Sequence, residues 1–166
     1  MNKKFLSIFK VWFKMLQMKK LFIYFTCFLC LIGCQKNDIQ VHNGNNTSLN
    51  KLDGSWVVIN YWADWCPPCL KEMPELVEFS NQNSDINVFA FNFDQLDIED
   101  LDPQIKRFGV DIPSLISYPG EIWGIESPQT LPATYFINEN GKVVRALFKP
   151  QTLETLNDVL SEVRDS

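Results

Sequence analysis

The stretch that decides the fold runs from residue 57 to residue 69 and reads Val57-Val58-Ile59-Asn60-Tyr61-Trp62-Ala63-Asp64-Trp65-Cys66-Pro67-Pro68-Cys69. Its first part belongs to a β-branched and aromatic run, 56–62, which does not alternate with polar residues and so predicts a strand covered on both faces. From Pro67 to Ser80 the apolar residues recur at helical spacing. The stretch therefore predicts a buried strand followed by a Cys-x-x-Cys pair at the start of a helix.

This position favours redox chemistry at the two cysteines. At a helix N-terminus, Cys66 meets the positive end of the macrodipole, where Cys-x-x-Cys thiols reach pKa values of about 3.5 to 7.5 against ~8.5 for a free thiol. A thiolate at Cys66 attacks a partner disulfide, and Cys69, one turn later, resolves the mixed disulfide. Pro67 needs no donor in the first helical turn. We predict Cys66 and Cys69 as catalytic residues and as a redox-active disulfide.

Other uses of the motif fit less well. A structural zinc site needs about four ligands, and no Cys or His follows Cys69. Haem attachment requires a histidine after the second cysteine, where the chain has Leu70. A structural disulfide across so small a ring constrains little chain entropy. We therefore expect no metal and no organic cofactor, with the cysteine pair as the whole redox centre.

The rest of the body alternates strands and helices. Asp102 is predicted as the N-cap of a short helix that has Pro103 as its first residue and ends at Gly109. Further predicted elements are a buried strand at 86–93, a hairpin of strands 133–138 and 142–148 around Asn140-Gly141, and a closing amphipathic helix at 152–163. The order predicts an α/β fold whose helices cover both faces of one sheet.

At these motifs the sequence resembles the thioredoxin superfamily, and within it the membrane-tethered, extracytoplasmic thiol-disulfide oxidoreductases of the TlpA/ResA type. The resemblance covers roughly residues 52–166 and rests on the 57–69 stretch, on Glu72 and Pro74, and on 131–138 followed by Gly141. It implies a thioredoxin-like three-layer sandwich in which helices lie on both faces of a central mixed β-sheet.

The resemblance also implies how partners are held. Pro132 matches the cis-proline that packs against the disulfide in this superfamily and lets the preceding backbone, here Leu131, pair with a substrate peptide as an added strand. Trp65 is expected to shield the disulfide and offer contact surface. The predicted substrate-binding residues are Trp65, Pro67, Pro68, Leu131 and Pro132.

A third catalytic residue is carried over from the resemblance. Glu72 matches an active-site glutamate, three residues beyond Cys69 on one helix face, where a carboxylate could exchange protons with the resolving thiol. A solvated surface glutamate is the alternative. Asn60 stands where cytoplasmic thioredoxins place a buried aspartate, and an amide cannot accept the Cys69 proton, which shifts that task to Glu72 or water.

The head of the chain indicates export. Residues 1–33 hold six of the 15 basic residues and none of the 20 acidic ones, and the uncharged run 21–32 is shorter than the about 20 residues of a membrane span. These are features of a secretory signal. Leu31-Ile32-Gly33-Cys34 resembles a bacterial lipobox, which implies cleavage before Cys34 and lipidation of its sulfur. A plain cleaved signal or a short uncleaved anchor is the alternative, and Met18 is an alternative start.

We therefore divide the chain into a lipoprotein-type signal peptide at 1–33, a lipidated Cys34 with a polar tether at 34–51, and the thioredoxin-like domain at 52–166. His42 is expected to be solvated in the tether. The N-terminal β-hairpin usual in the family has no patterned counterpart before residue 52.

The sequence thus predicts a lipid-anchored thiol-disulfide oxidoreductase of the bacterial cell envelope, facing the periplasm or the outside of the cytoplasmic membrane. The resemblance favours a reductant, recharged by a membrane thiol reductant and acting on exported proteins with disulfides or cysteines, with apocytochrome c among the candidates. The acidic body argues against nucleic-acid binding. The alternatives are a disulfide-forming oxidant and a non-catalytic, peptide-binding lipoprotein of the same fold.

Overall fold

The computed structural model describes residues 39–166, which form six strands and five helices. The predicted signal peptide, the lipobox with Cys34 and the start of the tether lie outside these residues. The strands are β1 (Val41–His42), β2 (Val57–Trp62), β3 (Asn87–Asn92), β4 (Ser114–Leu115), β5 (Ala133–Ile137) and β6 (Val143–Leu147). The helices are α1 (Leu49–Leu52), α2 (Pro67–Gln82), α3 (Ile98–Phe108), α4 (Pro119–Trp123) and α5 (Leu153–Arg164). None of these five helices is long and apolar enough to cross a bilayer.

The strands form one mixed sheet in the order β1-β4-β3-β2-β5-β6, with β2 parallel to β3 and antiparallel to β5. All six residues of β2 are buried, because helices cover both faces of the sheet. Val58 and Trp62 pack in the core shared with α2, α3 and α5, whereas Ile59 and Tyr61 pack in the core on the side of α1 and α4. The predicted thioredoxin-like sandwich is confirmed, and both aromatic residues of β2 are core residues.

Helix α2 begins directly after β2 and the turn that carries Trp65. Cys66 is its N-cap, and two prolines occupy its first two positions, where a missing N–H costs no helical bond. The helix ends at Gln82 and is capped by Asn83, whose side-chain amide donates to the Phe79 carbonyl at 2.9 Å. Its buried face carries Met73 and Leu76 into the core. The helix is thereby fixed against the sheet at the end where the cysteines lie.

The predicted start of α3 is wrong. The helix begins at Ile98, with Asp97 as N-cap accepting the Asp100 N–H at 3.2 Å, and Pro103 lies inside it. Either aspartate can cap a helix, and the earlier one succeeds because the acidic residues that follow it suit the first turn. Asp102 instead pairs with Lys106 one turn further along. The predicted stop is confirmed, since Gly109 has φ 62° in the left-handed region that glycine adopts without strain.

The predicted polar tether extends too far along the chain. Ile39 and Val41 are buried, β1 pairs antiparallel with β4, and a bridge joins Ile39 to Thr47. Residues two apart in an extended segment share one face, so two apolar side chains suffice to dock it. His42 is not solvated in a tether, because its Nε2 lies 3.1 Å from Asp102 Oδ1 on α3. This short strand occupies the sheet edge for which the sequence offered no patterned hairpin.

Candidate active site

The two cysteines are joined as a disulfide with an S–S distance of 1.96 Å. Cys66 is 4% exposed and lies at the helix cap, whereas Cys69 is 0% exposed within the first turn. Solvent access decides which sulfur atom can react with a partner protein. Cys66 is therefore the more accessible cysteine of the pair.

The start of α2 aims a single donor at Cys66. Pro67 and Pro68 have no N–H, so the first backbone donor of the helix is that of Cys69, which lies 3.3 Å from Cys66 Sγ. After reduction this N–H and the positive end of the helix stabilise a thiolate at Cys66. The same two prolines limit that stabilisation to one hydrogen bond in the first turn.

Glu72 is buried one turn beyond Cys69, with 2% of its surface exposed. Its Oε1 accepts the Gln151 N–H at 3.1 Å, and its Oε2 lies 3.5 Å from Asn60 Nδ2. Burial raises the pKa of Glu72 from 4.5 to about 7, and the hydrogen bonds from Gln151, Asn60 and Thr134 oppose the shift. The solvated alternative is thereby wrong, and the carboxyl can bind or release a proton near neutral pH.

Asn60 lies on β2 between Glu72 and β5. Its Nδ2 donates to Thr134 Oγ1 at 3.0 Å, and its Oδ1 is buried without a partner in the described part of the chain. An amide at this position has no proton to exchange, so the ionisable group of this buried cluster is the Glu72 carboxyl.

The Leu131–Pro132 peptide bond is cis, as the resemblance implies. The bond directly precedes β5, and the register pairs Ala133 with Tyr61 near the carboxyl end of β2. Because Cys66 follows that same end of β2, the cis-proline and the disulfide lie at one end of the sheet. Leu131 is half-buried and Pro132 is buried.

Trp65 stands beside the disulfide with 58% of its surface exposed. Its indole N–H donates to Asp94 Oδ2 at 2.7 Å, and its ring meets Phe93 edge-on at 6.0 Å between centroids. These contacts orient a large apolar surface toward solvent next to Cys66. Pro67 is also exposed, so the predicted contact residues on this side are open to a partner.

Thr134 and Gln151 are functional neighbours that sequence reasoning missed. Thr134 follows Ala133 in a strand whose alternate residues face α2, so period-2 patterning could have placed it near Glu72. Gln151 contributes its backbone N–H, and a backbone donor leaves no signal in the residue type. Asp94, which holds Trp65, lies in the turn after β3 and also carries no pattern.

Within residues 39–166, no three side chains of the His, Cys, Asp and Glu types lie together as a metal site would require. The reactive groups at this end of the sheet are a disulfide with one reachable sulfur and a buried carboxyl that titrates near pH 7. Such groups support thiol–disulfide exchange with a protein partner. The protein is therefore a thiol-disulfide oxidoreductase with a thioredoxin-like fold.

Comparisons with known proteins agree. Residues 32–146 match the AhpC/TSA family, and the chain belongs to this family. The chain is 30% identical over 122 residues to the thiol-disulfide oxidoreductase ResA of Bacillus thuringiensis (strain Al Hakam), a match that covers 72% of this chain and 70% of that protein. ResA of Bacillus subtilis (strain 168) is 26% identical over 126 residues, covering 74% and 69%. The TlpA/ResA-like resemblance is thus confirmed.

Solved structures give the same fold. StoA from Bacillus subtilis superposes with a TM-score of 0.58 at 22% identity, covering 74% of this chain and 98% of StoA. A DsbF homologue from Corynebacterium diphtheriae superposes with a TM-score of 0.61 at 20% identity, covering 75% and 83%.

Proposed function

We propose that the protein reduces disulfides in exported proteins outside the cytoplasmic membrane. The observation that carries this direction is the single N–H aimed at Cys66, because a dithiol becomes a strong oxidant when its reduced form is strongly stabilised. The prolines at 67 and 68 remove two donors that could have stabilised the thiolate. The similarity to ResA, a thiol-disulfide oxidoreductase, supports the exchange chemistry itself. Exported proteins with disulfides or cysteines, apocytochrome c among them, would be the substrates, and a membrane thiol reductant the electron donor.

The catalytic cycle follows from the burial of the two sulfurs. The Cys66 thiolate attacks the partner disulfide, forming a mixed disulfide and releasing one partner thiolate. Cys69 then attacks Cys66 Sγ, which forms the internal disulfide and releases the second partner sulfur. We propose that Glu72 takes the proton of the Cys69 thiol in this second step, since it lies on the same helix face and titrates near neutral pH.

The reduction potential of the Cys66–Cys69 pair tests the direction. Equilibration with glutathione or thioredoxin buffers should give a value near the ~−270 mV typical of a reductant. A variant with both cysteines replaced by serine is the control and should show no transition. A potential near the ~−120 mV of a strong oxidant would overturn the reducing assignment.

We also propose that the protein is held at the membrane by lipid on Cys34. The proposal rests on the lipobox-like sequence that ends at Cys34, after a basic stretch and an uncharged run. An extracytoplasmic place also suits the redox pair, because exported proteins are where disulfides persist. A secreted thiol-disulfide isomerase from Corynebacterium glutamicum shares the fold, with a TM-score of 0.59 at 19% identity and coverage of 74% of this chain and 78% of that one.

Replacing Cys34 with serine is expected to move the full-length protein from the membrane fraction to the aqueous fraction of a bacterial lysate. Mass spectrometry of the native protein should find a diacylglyceryl group on an N-terminal Cys34. Cys30→Ser is the matched control, because it removes a cysteine four residues earlier and should leave the protein on the membrane. Retention of the Cys34→Ser protein in the membrane would contradict the anchor.

A further inference from the structure

The carboxyl of Glu72 lies in a cradle of neutral hydrogen-bond donors. Asn60, Glu72 and Thr134 are each at most 2% exposed, on β2, α2 and β5 respectively. Asn60 Nδ2 lies 3.5 Å from Glu72 Oε2 and 3.0 Å from Thr134 Oγ1, and the Gln151 N–H lies 3.1 Å from Glu72 Oε1. Three elements and a loop thus converge on one carboxyl.

The hydrogen bond from Asn60 to Thr134 determines which atoms are left to donate to Glu72. Thr134 Oγ1 accepts a hydrogen bond from Asn60 Nδ2, so its own O–H is left to donate, and it contributes a hydrogen bond to Glu72. Nδ2 uses its other hydrogen toward Glu72. The carboxyl therefore faces donors from Asn60, Thr134 and Gln151, which is an arrangement that favours the ionised form over the acid.

The unpartnered oxygen of Asn60 belongs to the same arrangement. Oδ1 is buried without a hydrogen bond within the described residues, although a buried carbonyl without a donor is unfavourable. Turning the carboxamide over would place Oδ1 against the carboxylate oxygen and leave two N–H groups unpaired. The observed orientation is the one that serves a negative charge on Glu72, and Thr134 holds it there.

We infer that Asn60 and Thr134 are positioning residues that allow the buried Glu72 carboxyl to ionise near neutral pH, so that it can accept the proton of the Cys69 thiol. This inference rests on the proposed role of Glu72 in the second step of exchange. Asn60 contacts the carboxyl and Thr134 contacts Asn60, so we assign both residues an effect on the carboxyl and not on the sulfur atoms. Burial alone would hold the proton on Glu72 and leave no base beneath the disulfide.

Few charged groups compete for this carboxyl. Along α2, Cys69 becomes titratable only after reduction, and Glu75 on the next turn accepts the Leu153 N–H at 2.8 Å. In the loop that leads to α5, Lys149 is exposed. Burial and the hydrogen bonds from Gln151, Asn60 and Thr134 account for the displaced pKa of Glu72. Removing a donor from this cradle should therefore act directly on the carboxyl.

Thr134→Val tests the inference, because valine keeps the branched shape and removes the hydroxyl. The pKa of Glu72, followed by ¹³C NMR of the carboxyl in the oxidised protein, should rise by roughly one unit. The acid limb of the pH–rate profile for reduction of a model disulfide should move up by the same amount. Thr134→Ser restores the hydroxyl and should return both values, which a purely structural role of Thr134 would not predict.

The outcomes separate the inference from the role of Glu72 itself. If Glu72→Gln removes the acid limb while Thr134→Val leaves the limb and the NMR pKa unchanged, the positioning inference is overturned and the role of Glu72 stands. If Glu72→Gln leaves the profile unchanged, the proton-transfer proposal fails, and the NMR titration of Thr134→Val still decides whether the cradle sets the pKa. Asn60→Leu should raise the NMR pKa in the same direction as Thr134→Val.

Discussion

Cys66→Ser is expected to reduce disulfide exchange to the uncatalysed background, because it removes the only sulfur of the pair that a partner can reach. Cys69→Ser should have a different effect. The first attack by Cys66 proceeds, but nothing resolves the product, so partners accumulate as mixed disulfides on Cys66. The asymmetry follows from the burial of Cys69 and the position of Cys66 at the cap of α2.

The measurement is a comparison of three proteins with a cysteine-containing peptide disulfide. Turnover should be lost in both variants, and a covalent adduct that thiols release should form only with Cys69→Ser. The double variant Cys66→Ser/Cys69→Ser is the control for adducts elsewhere. Adducts of equal yield on Cys66→Ser would contradict the assignment of Cys66 as the attacking sulfur.

The second large effect is a pH-dependent gain of stability in Glu72→Gln. Burial raises the pKa of Glu72 from 4.5 to about 7 in the folded, oxidised protein. Below pH 4.5 the carboxyl is protonated in both the folded and unfolded chain, so it contributes nothing to the pH dependence. As pH rises to 7, the unfolded chain ionises first and folding becomes less favourable. At about 1.4 kcal/mol per pKa unit, the native chain should lose about 3 kcal/mol that the glutamine variant keeps.

Denaturant unfolding of the oxidised proteins at pH 4.5 and pH 8 measures this effect. The difference in free energy of unfolding between Glu72→Gln and the native chain should shift by about 3 kcal/mol in favour of the variant between the two pH values. Comparing the two pH values removes any constant cost of burying the amide. Glu78→Gln, an exposed residue of the same helix, is the control and should show no such shift. An equal response in both variants would contradict a raised pKa of the buried Glu72 carboxyl.

The strands and helices that build the active site could be predicted from residue patterns. The apolar run before Cys66 indicated β2, helical spacing indicated α2, and Asn140-Gly141 indicated the hairpin, in which Gly141 has φ 71°. Each signal is local and spans enough residues to show a period. The cis bond before Pro132 came from the resemblance, because few bonds before proline are cis and the residue type does not distinguish them.

The remaining elements depend on contacts that a local pattern does not contain. β1 and β4 have two residues each and α4 has five, which is too short to show a period. The start of α3 differs from the prediction because two aspartates can cap a helix, and the earlier one is followed by acidic residues that suit the first turn. The pKa of Glu72 depends on burial beneath β2 and β5 and on a backbone N–H from a distant loop. The short elements and the pKa of Glu72 therefore depend on tertiary contacts that the sequence pattern does not contain.

The docking of Ile39 bears on the lipid anchor proposed at Cys34. If Cys34 holds the lipid, the linker from Cys34 to Ile39 is five residues long. At full extension it spans on the order of 18 Å. The catalytic domain then samples only a thin layer above the bilayer. Partners that pass through or reside in this layer meet the dithiol at a high effective concentration, while proteins that diffuse freely meet it rarely. The short linker would therefore favour partners that lie near the membrane, in addition to any preference for their chemistry.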